Sequence, residues 1–260
     1  MPELPDVEIL KRYCDSTCLH QTIEAVDVYS SRVIKTGDLQ SELRGHSFEA
    51  TARHGKYLFL HLDNDKWMVM HFGMTGDLKY FKLADQKPEY TQVLFCFDND
   101  YRLAYRMPRK LGEIRIVADK ADFIEEKALG PDVMDDDLDF QAFKELLSRR
   151  RGMAKSTLMN QKIMAGIGNV FSDEILFQAG VHPRKKINEL DEDDLHELYS
   201  AMRRVLQTAI DHDANPQELP EGYLIPHRSE EEECPRCGGK VERIEVSGRG
   251  GYFCPQCQNI

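Results

Sequence analysis

Four cysteines near the end of the sequence have types and spacings that specify metal binding. Cys234 and Cys237 form one Cys-x-x-Cys pair, Cys254 and Cys257 form a second, and sixteen residues separate the two pairs. Two such pairs offer four thiolates to one tetrahedral ion, which is the ligand set of structural zinc. Two disulfides are the alternative, and an intracellular setting disfavours them. The spacing therefore predicts one structural Zn²⁺, whose binding would supply folding energy to this small ribbon.

A glycine-rich turn before a helical pattern is the second candidate, and its chemistry suits phosphate. The residues AGIGN end at Asn169, and a helical pattern follows directly. The first backbone N–H groups of a helix have no partner within it, so they can bind an anion. Lys155 and Lys162 lie upstream, and Arg249 lies between glycines in the turn of the cysteine ribbon, where its planar guanidinium could reach a phosphate. The alternatives are an ordinary helical hairpin and an exposed turn arginine.

The elements that would position these residues change type along the sequence. Residues 1–19 show a helical spacing of apolar residues, and short runs typical of strands follow from about 22 to 118. The seven runs are IEAVDVYS, GKYLFLHL, KWMVMHF, DLKYFKL, TQVLFCFD, YRLAYR and GEIRIV. Short strands at such close spacing predict a β-sandwich or a barrel. From about residue 121 the period becomes helical, and an acidic, Pro-containing connector at 213–233 precedes the cysteine ribbon.

Composition limits the class of protein. With 260 residues, 41% of them hydrophobic, the chain is long enough for two domains with cores of their own. No apolar run reaches the ~18 residues of a membrane span, and the start lacks the basic leader of a signal peptide, so we expect an intracellular, soluble protein. The net charge of −11 argues against a nucleic-acid partner, but residues 144–186 contain nine Lys/Arg and only three Asp/Glu. A basic working face on an acidic chain is therefore compatible with the sequence.

Taken in order along the chain, the motifs resemble those of the bacterial formamidopyrimidine-DNA glycosylase and endonuclease VIII family. They are PELPDVE, HGKYLFLHL, HFGMTG, NQKIMAGIGNVFSDEILFQAGVHP and GRGGYFCPQCQ, and they span nearly the whole sequence. The resemblance implies an α+β multidomain fold. An N-terminal β-sandwich with a leading helix would cover residues 1–120, a helical helix–two-turn–helix domain 121–225, and a C-terminal zinc-ribbon finger 226–260. It also implies that DNA binds in a cleft between two lobes.

The resemblance implies a catalytic role for the first residues of the chain. Removal of Met1 would free the secondary amine of Pro2, which is the nucleophile of the family, and Glu3 would donate and accept protons. An α-amino group titrates near ~8, so much of it can be neutral at physiological pH. Lys56 matches the family lysine near the lesion phosphates. The other matches are the DNA-binding residues Met74, Arg109, Leu111, Lys155, Asn169 and Arg249, and the candidate lesion-pocket residues Glu174 and Asp6.

Some positions depart from the family pattern. Met74 and Arg109 match side chains that fill the gap left by a flipped-out base. Leu111, in contrast, stands where the family has an aromatic wedge against the opposite base, and such stacking is worth roughly 1–3 kcal/mol. Asp6 replaces a longer Glu, and YLIPHR replaces the usual Val-Tyr-Gly-Arg pattern before the finger. The connector is short there, where the family has the loop that covers an everted 8-oxoguanine. From Leu111 we expect looser recognition of the partner base.

Together these expectations describe a bifunctional DNA glycosylase and AP lyase of base excision repair. It would excise oxidised bases and cleave the abasic site by β,δ-elimination through a Schiff base at Pro2. Its partner would be double-stranded DNA with oxidised bases or abasic sites, and its cofactor one structural Zn²⁺. We expect a monomer without membrane contact in the cytoplasm of a prokaryotic cell, close to the nucleoid. The alternatives are a non-catalytic damaged-DNA-binding protein on the same fold, and a zinc-ribbon adaptor, which leaves the β-rich half unexplained.

Overall fold

The structure, a computed structural model, describes residues 1–259 and contains two compact units. One unit comprises Met1–Pro2 and Asp6–Ala128, and the other comprises Glu3–Pro5 together with the chain from Leu129 onward. The first residues of the chain are thus shared between the two units. Within residues 1–259, none of the helices combines the length and the apolar character that crossing a bilayer requires.

The first unit is a β-sandwich of two antiparallel four-stranded sheets. One sheet has the order β1-β6-β7-β5, formed by Ile23–Val28, Thr91–Phe97, Tyr101–Arg106 and Asp77–Lys82. The other has the order β2-β3-β4-β8, formed by Phe48–His54, Tyr57–Leu62, Trp67–His71 and Glu113–Val117. The helices are α1 (Leu4–Thr17), α2 (Leu39–Leu43) and α3 (Lys120–Glu126), with a 3-10 turn at Ser31–Val33. The predicted sandwich with a leading helix is confirmed.

Strand β3 shows why the sequence of this unit is apolar in runs. Leu58, Leu60 and Leu62 lie on one face of the strand and belong to the core of the sandwich. Phe59, between them, packs on the other face against Phe123 of α3, with ring centroids 5.7 Å apart. Successive side chains of a strand point to opposite faces, so a strand that is covered on both faces reads as a continuous apolar run.

The second unit consists of helices around one apolar core, followed by a two-stranded hairpin. The helices are α4 (Phe140–Ser148), α5 (Ala154–Leu158), α6 (Asn169–Gln178) and α7 (Glu192–Asp211), with 3-10 turns at Ile187–Glu189 and Ile225–His227. The hairpin pairs β9 (Glu242–Val246) with β10 (Arg249–Phe253). Helix α7 begins with a capping box between Asp191 and Asp194. The core of this unit also includes Leu4, from the first turn of α1.

Helix α6 is the central helix of the second unit. All residues from 171 to 177 are buried, and Ser172, Asp173 and Glu174 are 0% exposed although they are polar. Buried polar groups need hydrogen-bond partners. The partners of these side chains therefore come from the segments that pack around α6, and they determine how those segments are held.

Several sequence predictions need correction in detail. Strand β2 was not among the predicted runs, because FEATARH mixes polar and apolar residues and most of it is only partly buried. Lys56, predicted on a strand, lies in the turn between β2 and β3. Arg249, predicted in the ribbon turn, is the first residue of β10. The three-domain division stays a prediction, because the helical segment and the finger belong to one unit; its last residue, Ile260, lies outside the described residues.

Candidate active site

The carboxylate of Glu3 is buried at the start of helix α6. Its Oε2 accepts hydrogen bonds from the backbone N–H of Gly168 at 2.6 Å and of Phe171 at 3.2 Å, and its Oε1 accepts from Val170 at 2.8 Å. Only 1% of Glu3 is exposed. These donors are the ones that a helix start leaves unpaired, and they stabilise negative charge. The prediction that they would hold a phosphate is wrong, since they hold a carboxylate of the chain itself.

The glycine turn permits this close approach. A Cβ atom on Gly168 would lie 2.3 Å from Cδ of Glu3, so no other residue fits there without moving the carboxylate. The backbone N–H of Leu4 donates to the carbonyl oxygen of Gly166 at 3.1 Å, which ties the following residue to the same turn. Pro2 is partly exposed and Met1 is 44% exposed.

Asn169 and Arg249 are brought to the same part of the second unit. Asn169 is the first residue of α6, but the residue that caps the helix is Gly168 and its cap involves no side chain. The Nδ2 of Asn169 donates to the carbonyl oxygen of Gly250 at 2.9 Å, which is adjacent to Arg249 in β10. The Arg249 side chain is exposed. The Asn169 amide is thus hydrogen-bonded to Gly250, the residue that follows Arg249 in β10.

Lys155 does not present its charge to solvent. It is 0% exposed, and its Nζ donates to Oδ1 of Asp173 at 2.5 Å, to Oγ of Ser172 at 2.9 Å and to the carbonyl oxygen of Asn169 at 3.2 Å. Burial lowers the pKa of Lys155, and the Asp173 carboxylate opposes this shift. An ammonium group has three N–H donors, and three acceptors of the protein engage them. This arrangement does not support the predicted direct contact between Lys155 and DNA.

Glu174 bonds to the segment that precedes the finger. Its Oε2 accepts from the backbone N–H of Ile225 at 2.7 Å, and its Oε1 accepts from Nε2 of Gln178 at 2.7 Å. Burial raises the pKa of Glu174 to about 7. The other candidate lesion-pocket residue, Asp6, belongs to the first unit, where it is partly buried in the first turn of α1.

In the first unit, Lys56 lies in a tight turn and is only 7% exposed. Its charge acts on His71 of β4. The pKa of His71 is lowered to about 4, mainly by burial; the Glu113 carboxylate opposes this shift, and the charges of Lys56 and Lys127 add to it. His71 is therefore neutral at physiological pH, and the positive charge of Lys56 acts on it from the turn between β2 and β3.

The predicted void-filling residues lie exposed on two loops of the first unit. Met74 is 41% exposed, Leu111 is 46% exposed and Arg109 is also exposed. The strands from which the two loops start are linked to each other, because the hydroxyl of Tyr105 in β7 donates to the carbonyl oxygen of His71 in β4 at 2.7 Å. Solvent-exposed apolar side chains on anchored loops are typical of surfaces that meet a partner.

The four cysteines converge. All four Sγ atoms lie within 4.8 Å of one another, with 3.8 Å between Cys234 and Cys257 and 3.5 Å between Cys237 and Cys254. Tetrahedral ligands at the Zn–S distance of about 2.3 Å are separated by roughly 3.8 Å. The donor set and spacing therefore fit one structural zinc, which these four residues would hold and which would fold the finger.

Sequence reasoning missed two residues that hold this unit together. Asp173 lies beside the recognised Glu174, and Arg228 lies in the acidic connector. The Arg228 guanidinium donates to Oδ2 of Asp173 at 2.7 Å and 3.2 Å. The segment YLIPHR was noted only as a departure from the family pattern, and nothing in its spacing points to a partner on α6.

A β-sandwich, a helical unit with a glycine-rich helix start and a four-cysteine hairpin define a class of multidomain zinc-finger protein. Matches to family descriptions cover the same segments: "Formamidopyrimidine-DNA glycosylase N-terminal domain" over residues 1–114, "Formamidopyrimidine-DNA glycosylase H2TH domain" over 129–219, and "Zinc finger found in FPG and IleRS" over 231–260. The chain belongs to the formamidopyrimidine-DNA glycosylase family.

Individual relatives agree with this membership. A formamidopyrimidine-DNA glycosylase of Streptococcus pneumoniae is 33% identical over 278 residues, and that of Bacillus subtilis is 30% identical over 274 residues, each alignment covering 99% of both chains. A solved structure of the Lactococcus lactis enzyme bound non-covalently to DNA containing an AP site matches with a TM-score of 0.91 and 30% identity, covering 100% of both chains. A structure of the wild-type L. lactis enzyme with DNA containing N7-benzyl-Fapy-dG matches equally well.

Proposed function

We propose that the chain is a bifunctional DNA glycosylase and AP lyase of base excision repair, with Pro2 as its nucleophile. The observation that carries the proposal is the burial of Glu3 on three N–H donors, directly beside Pro2 in the chain. A carboxylate that is fixed next to a terminal amine supplies a proton-transfer group at a set distance from the nucleophile. The relatives' names and the DNA in their solved structures support the same reaction class.

The reaction begins after removal of Met1. The nitrogen of Pro2 attacks C1′ of the damaged nucleotide, the glycosidic bond breaks, and the base leaves with a proton. Glu3 protonates the sugar ring oxygen, which opens the ring, and the secondary amine forms a cationic iminium with C1′. The iminium accepts the electron pair of the departing 2′ proton, so the bond to the 3′ phosphate breaks. A second elimination breaks the bond to the 5′ phosphate and completes the β,δ-elimination.

Three residues are proposed to hold the phosphates around the lesion. Lys56 supplies a cation on the first unit, and Arg249 supplies a guanidinium whose planar fork suits a phosphate. Asn169 adds an amide group, of which one N–H bonds to Gly250 and the second is a further donor. The finger zinc would act by folding the hairpin that carries Arg249.

Three further residues are proposed to occupy the gap in the duplex. Extrusion of a base requires other groups to fill the vacated stack. Met74 is unbranched and adapts to varied neighbours, and Arg109 can bond to the orphaned partner base. Leu111 would intercalate without aromatic stacking.

The proposed partner is double-stranded DNA with oxidised bases or abasic sites, bound by one copy of the chain. The curated relatives reported above come from bacteria, and we place the protein in the bacterial cytoplasm, where it works on the nucleoid. A DNA substrate requires no membrane contact.

Borohydride trapping tests the proposal directly. An iminium is reducible, so borohydride should convert the intermediate on abasic-site DNA into a stable covalent adduct. Peptide mapping should place the adduct on the peptide that begins at Pro2. An adduct on a lysine, with full lyase rate in Pro2→Gly, would falsify the assignment.

The same experiment decides the alternative, a non-catalytic damaged-DNA-binding protein on this fold. Such a protein would bind abasic-site DNA and give no adduct. The presence of Pro2 and the buried Glu3 favours catalysis, because neither is needed for binding alone.

A further inference from the structure

A buried ionic cluster connects helix α5, helix α6 and the segment before the finger, and no step of the proposed reaction uses it. Its members are Lys155, Asp173 and Arg228, here called the Asp173 cluster. Both side chains of the Lys155–Asp173 pair are 0% exposed, and that of Arg228 is 16% exposed. Two cations thus surround one carboxylate inside the second unit.

Stability alone is a poor explanation for such a cluster. Removing charges from water costs free energy that the mutual attraction often only offsets, and apolar residues of equal volume frequently stabilise a core as well. A charged group adds directional hydrogen bonds, and these fix the positions of the groups that it bonds. The partners of Asp173 therefore indicate what the cluster holds in place.

Asp173 holds strand β10 of the finger hairpin. Its Oδ2 accepts a hydrogen bond from the backbone N–H of Tyr252 at 3.1 Å. At the preceding residue, Gly251, an added Cβ would lie 2.6 Å from Oδ1 of Asp173 and 2.9 Å from Cε of Lys155. One residue earlier, the carbonyl oxygen of Gly250 accepts from Asn169 at 2.9 Å. Three successive residues of β10 are thus set against α5 and α6.

Arg249 directly precedes Gly250 and is the first residue of β10. Two of the four finger cysteines follow the opposite end of β10, with Cys254 directly after Phe253, and the other two precede β9. Two-stranded hairpins are marginally stable by themselves, so the metal end and the Arg249 end each need an anchor. At the Arg249 end, Asp173 and Asn169 bond to β10, and Arg184 bonds to the carbonyl oxygen of Glu245 in β9 at 3.0 Å.

We propose that Asp173 is a positioning residue that fixes Arg249 in the geometry that binds the DNA phosphates. The inference rests on the proposed function. Lys155 and Arg228 bond to the Asp173 carboxylate within the unit, and Lys155 acts on DNA binding through Asp173 and not by touching DNA.

A double-mutant cycle between Asp173→Asn and Arg249→Ala tests the proposal. The measured quantity is the Kd for a duplex with a stable abasic-site analogue. Asp173→Asn keeps the size of the side chain but removes its charge, and it should raise Kd about 10- to 100-fold, the order of one charge-assisted hydrogen bond to phosphate. In the Arg249→Ala background the same substitution should change Kd less than about threefold, because residues that act as one unit are non-additive.

The control is Asp136→Asn, which removes an exposed carboxylate paired with Arg203 of the same unit. It should leave Kd unchanged in both backgrounds. A merely structural role of Asp173 would lower the Tm and weaken binding by the same factor with and without Arg249. Additive losses, or a wild-type Kd in Asp173→Asn, would overturn the inference.

A second variant serves if Asp173→Asn does not fold. Gly251→Ala changes no charge but pushes β10 away from Asp173, and it should show the same loss of affinity and the same non-additivity with Arg249→Ala. Additive loss here also overturns the inference. Borohydride trapping of the wild-type protein is run alongside. Without an adduct at Pro2 the proposed function fails and this inference fails with it, whereas an adduct together with additive losses refutes the inference alone.

Discussion

Gly168→Ala is the substitution that tests the placement of Glu3 most sharply. The backbone of Gly168 has φ −122° and ψ −152°, an extended conformation with negative φ, so it does not need the left-handed backbone that favours glycine. Its new Cβ would lie 2.3 Å from Cδ of Glu3 and 2.4 Å from Oε1. The change therefore acts on the Glu3 carboxylate and on its hydrogen bonds to the start of α6.

The size of the effect follows from these distances. A normal contact between carbon atoms is about 3.5–4.0 Å, so the carboxyl group must move by more than about 1 Å. The bond from Gly168 N–H, now 2.6 Å, would then exceed about 3.5 Å and cease to be a hydrogen bond. Positioned proton transfer contributes about 10²–10⁴-fold to a rate. We expect base excision to slow by about 10²-fold or more.

Single-turnover kinetics on two substrates would measure this loss. Duplexes with an intact damaged base report glycosidic cleavage, and duplexes with a preformed abasic site report the lyase steps. Gly37→Ala is the matched control, because Gly37 has no atom within 4 Å of an added Cβ, and it should react at the wild-type rate. If Gly168→Ala excises bases as fast as the wild type while remaining folded, the placement of Glu3 on α6 is irrelevant to the chemistry and the argument fails.

Three further predictions concern the metal, pH and the substrate. Metal analysis should find one zinc per chain, and Cys237→Ser should lose zinc and DNA binding while the first unit stays folded; normal DNA binding by this variant would contradict the role of the finger. Burial raises the pKa of Glu174 to about 7, above the unfolded value near ~4.3, so its contribution to stability is complete below that lower value and is lost as pH rises through about 7. Glu174→Gln cannot lose a proton, and its Tm should rise relative to the wild type between pH 5 and pH 8 in thermal scans; a constant difference would refute this. With Leu111 in place of an aromatic wedge and a short connector, abasic sites and ring-opened or ring-saturated bases should be processed faster than 8-oxoguanine, because they cost less to flip. Single-turnover excision opposite all four bases checks this, and fastest removal of 8-oxoguanine opposite cytosine, with strong suppression opposite adenine, would show that the reasoning from the connector is wrong.

Much of the fold could be predicted because its signals are local. The seven predicted strand runs all correspond to strands, since the side chains of both sheets alternate or run apolar as burial demands. Helix α7 was predictable from its period and from Asp191, whose carboxylate accepts from Asp194 N–H at 2.8 Å. The cysteine spacing predicted the convergence of four thiols. Each of these signals lies within one segment of the chain.

The parts that could not be predicted depend on contacts between distant segments. Glu3 bonds to the start of α6, more than 160 residues away along the chain, and no local pattern marks that pairing. The glycine turn was a candidate phosphate site, but its N–H donors bind the carboxylate of Glu3. Lys155 was predicted as a DNA contact because it matches a basic residue of the family's helical domain, and its burial against Asp173 and Ser172 depends on contacts that the sequence does not show.

The charges of the second unit show how a chain with a negative net charge can bind DNA. The basic stretch at 144–186 suggested a positive face, yet Lys144, Lys155 and Lys185 each form an ion pair with a carboxylate of the same unit. Their charge is therefore largely cancelled at short range and adds little to a long-range field. The phosphate contacts that we propose for this unit rest on an amide at Asn169 and a guanidinium at Arg249. Recognition that relies on the placement of a few donors is compatible with a net charge of −11, because it needs fixed geometry more than an excess of cations.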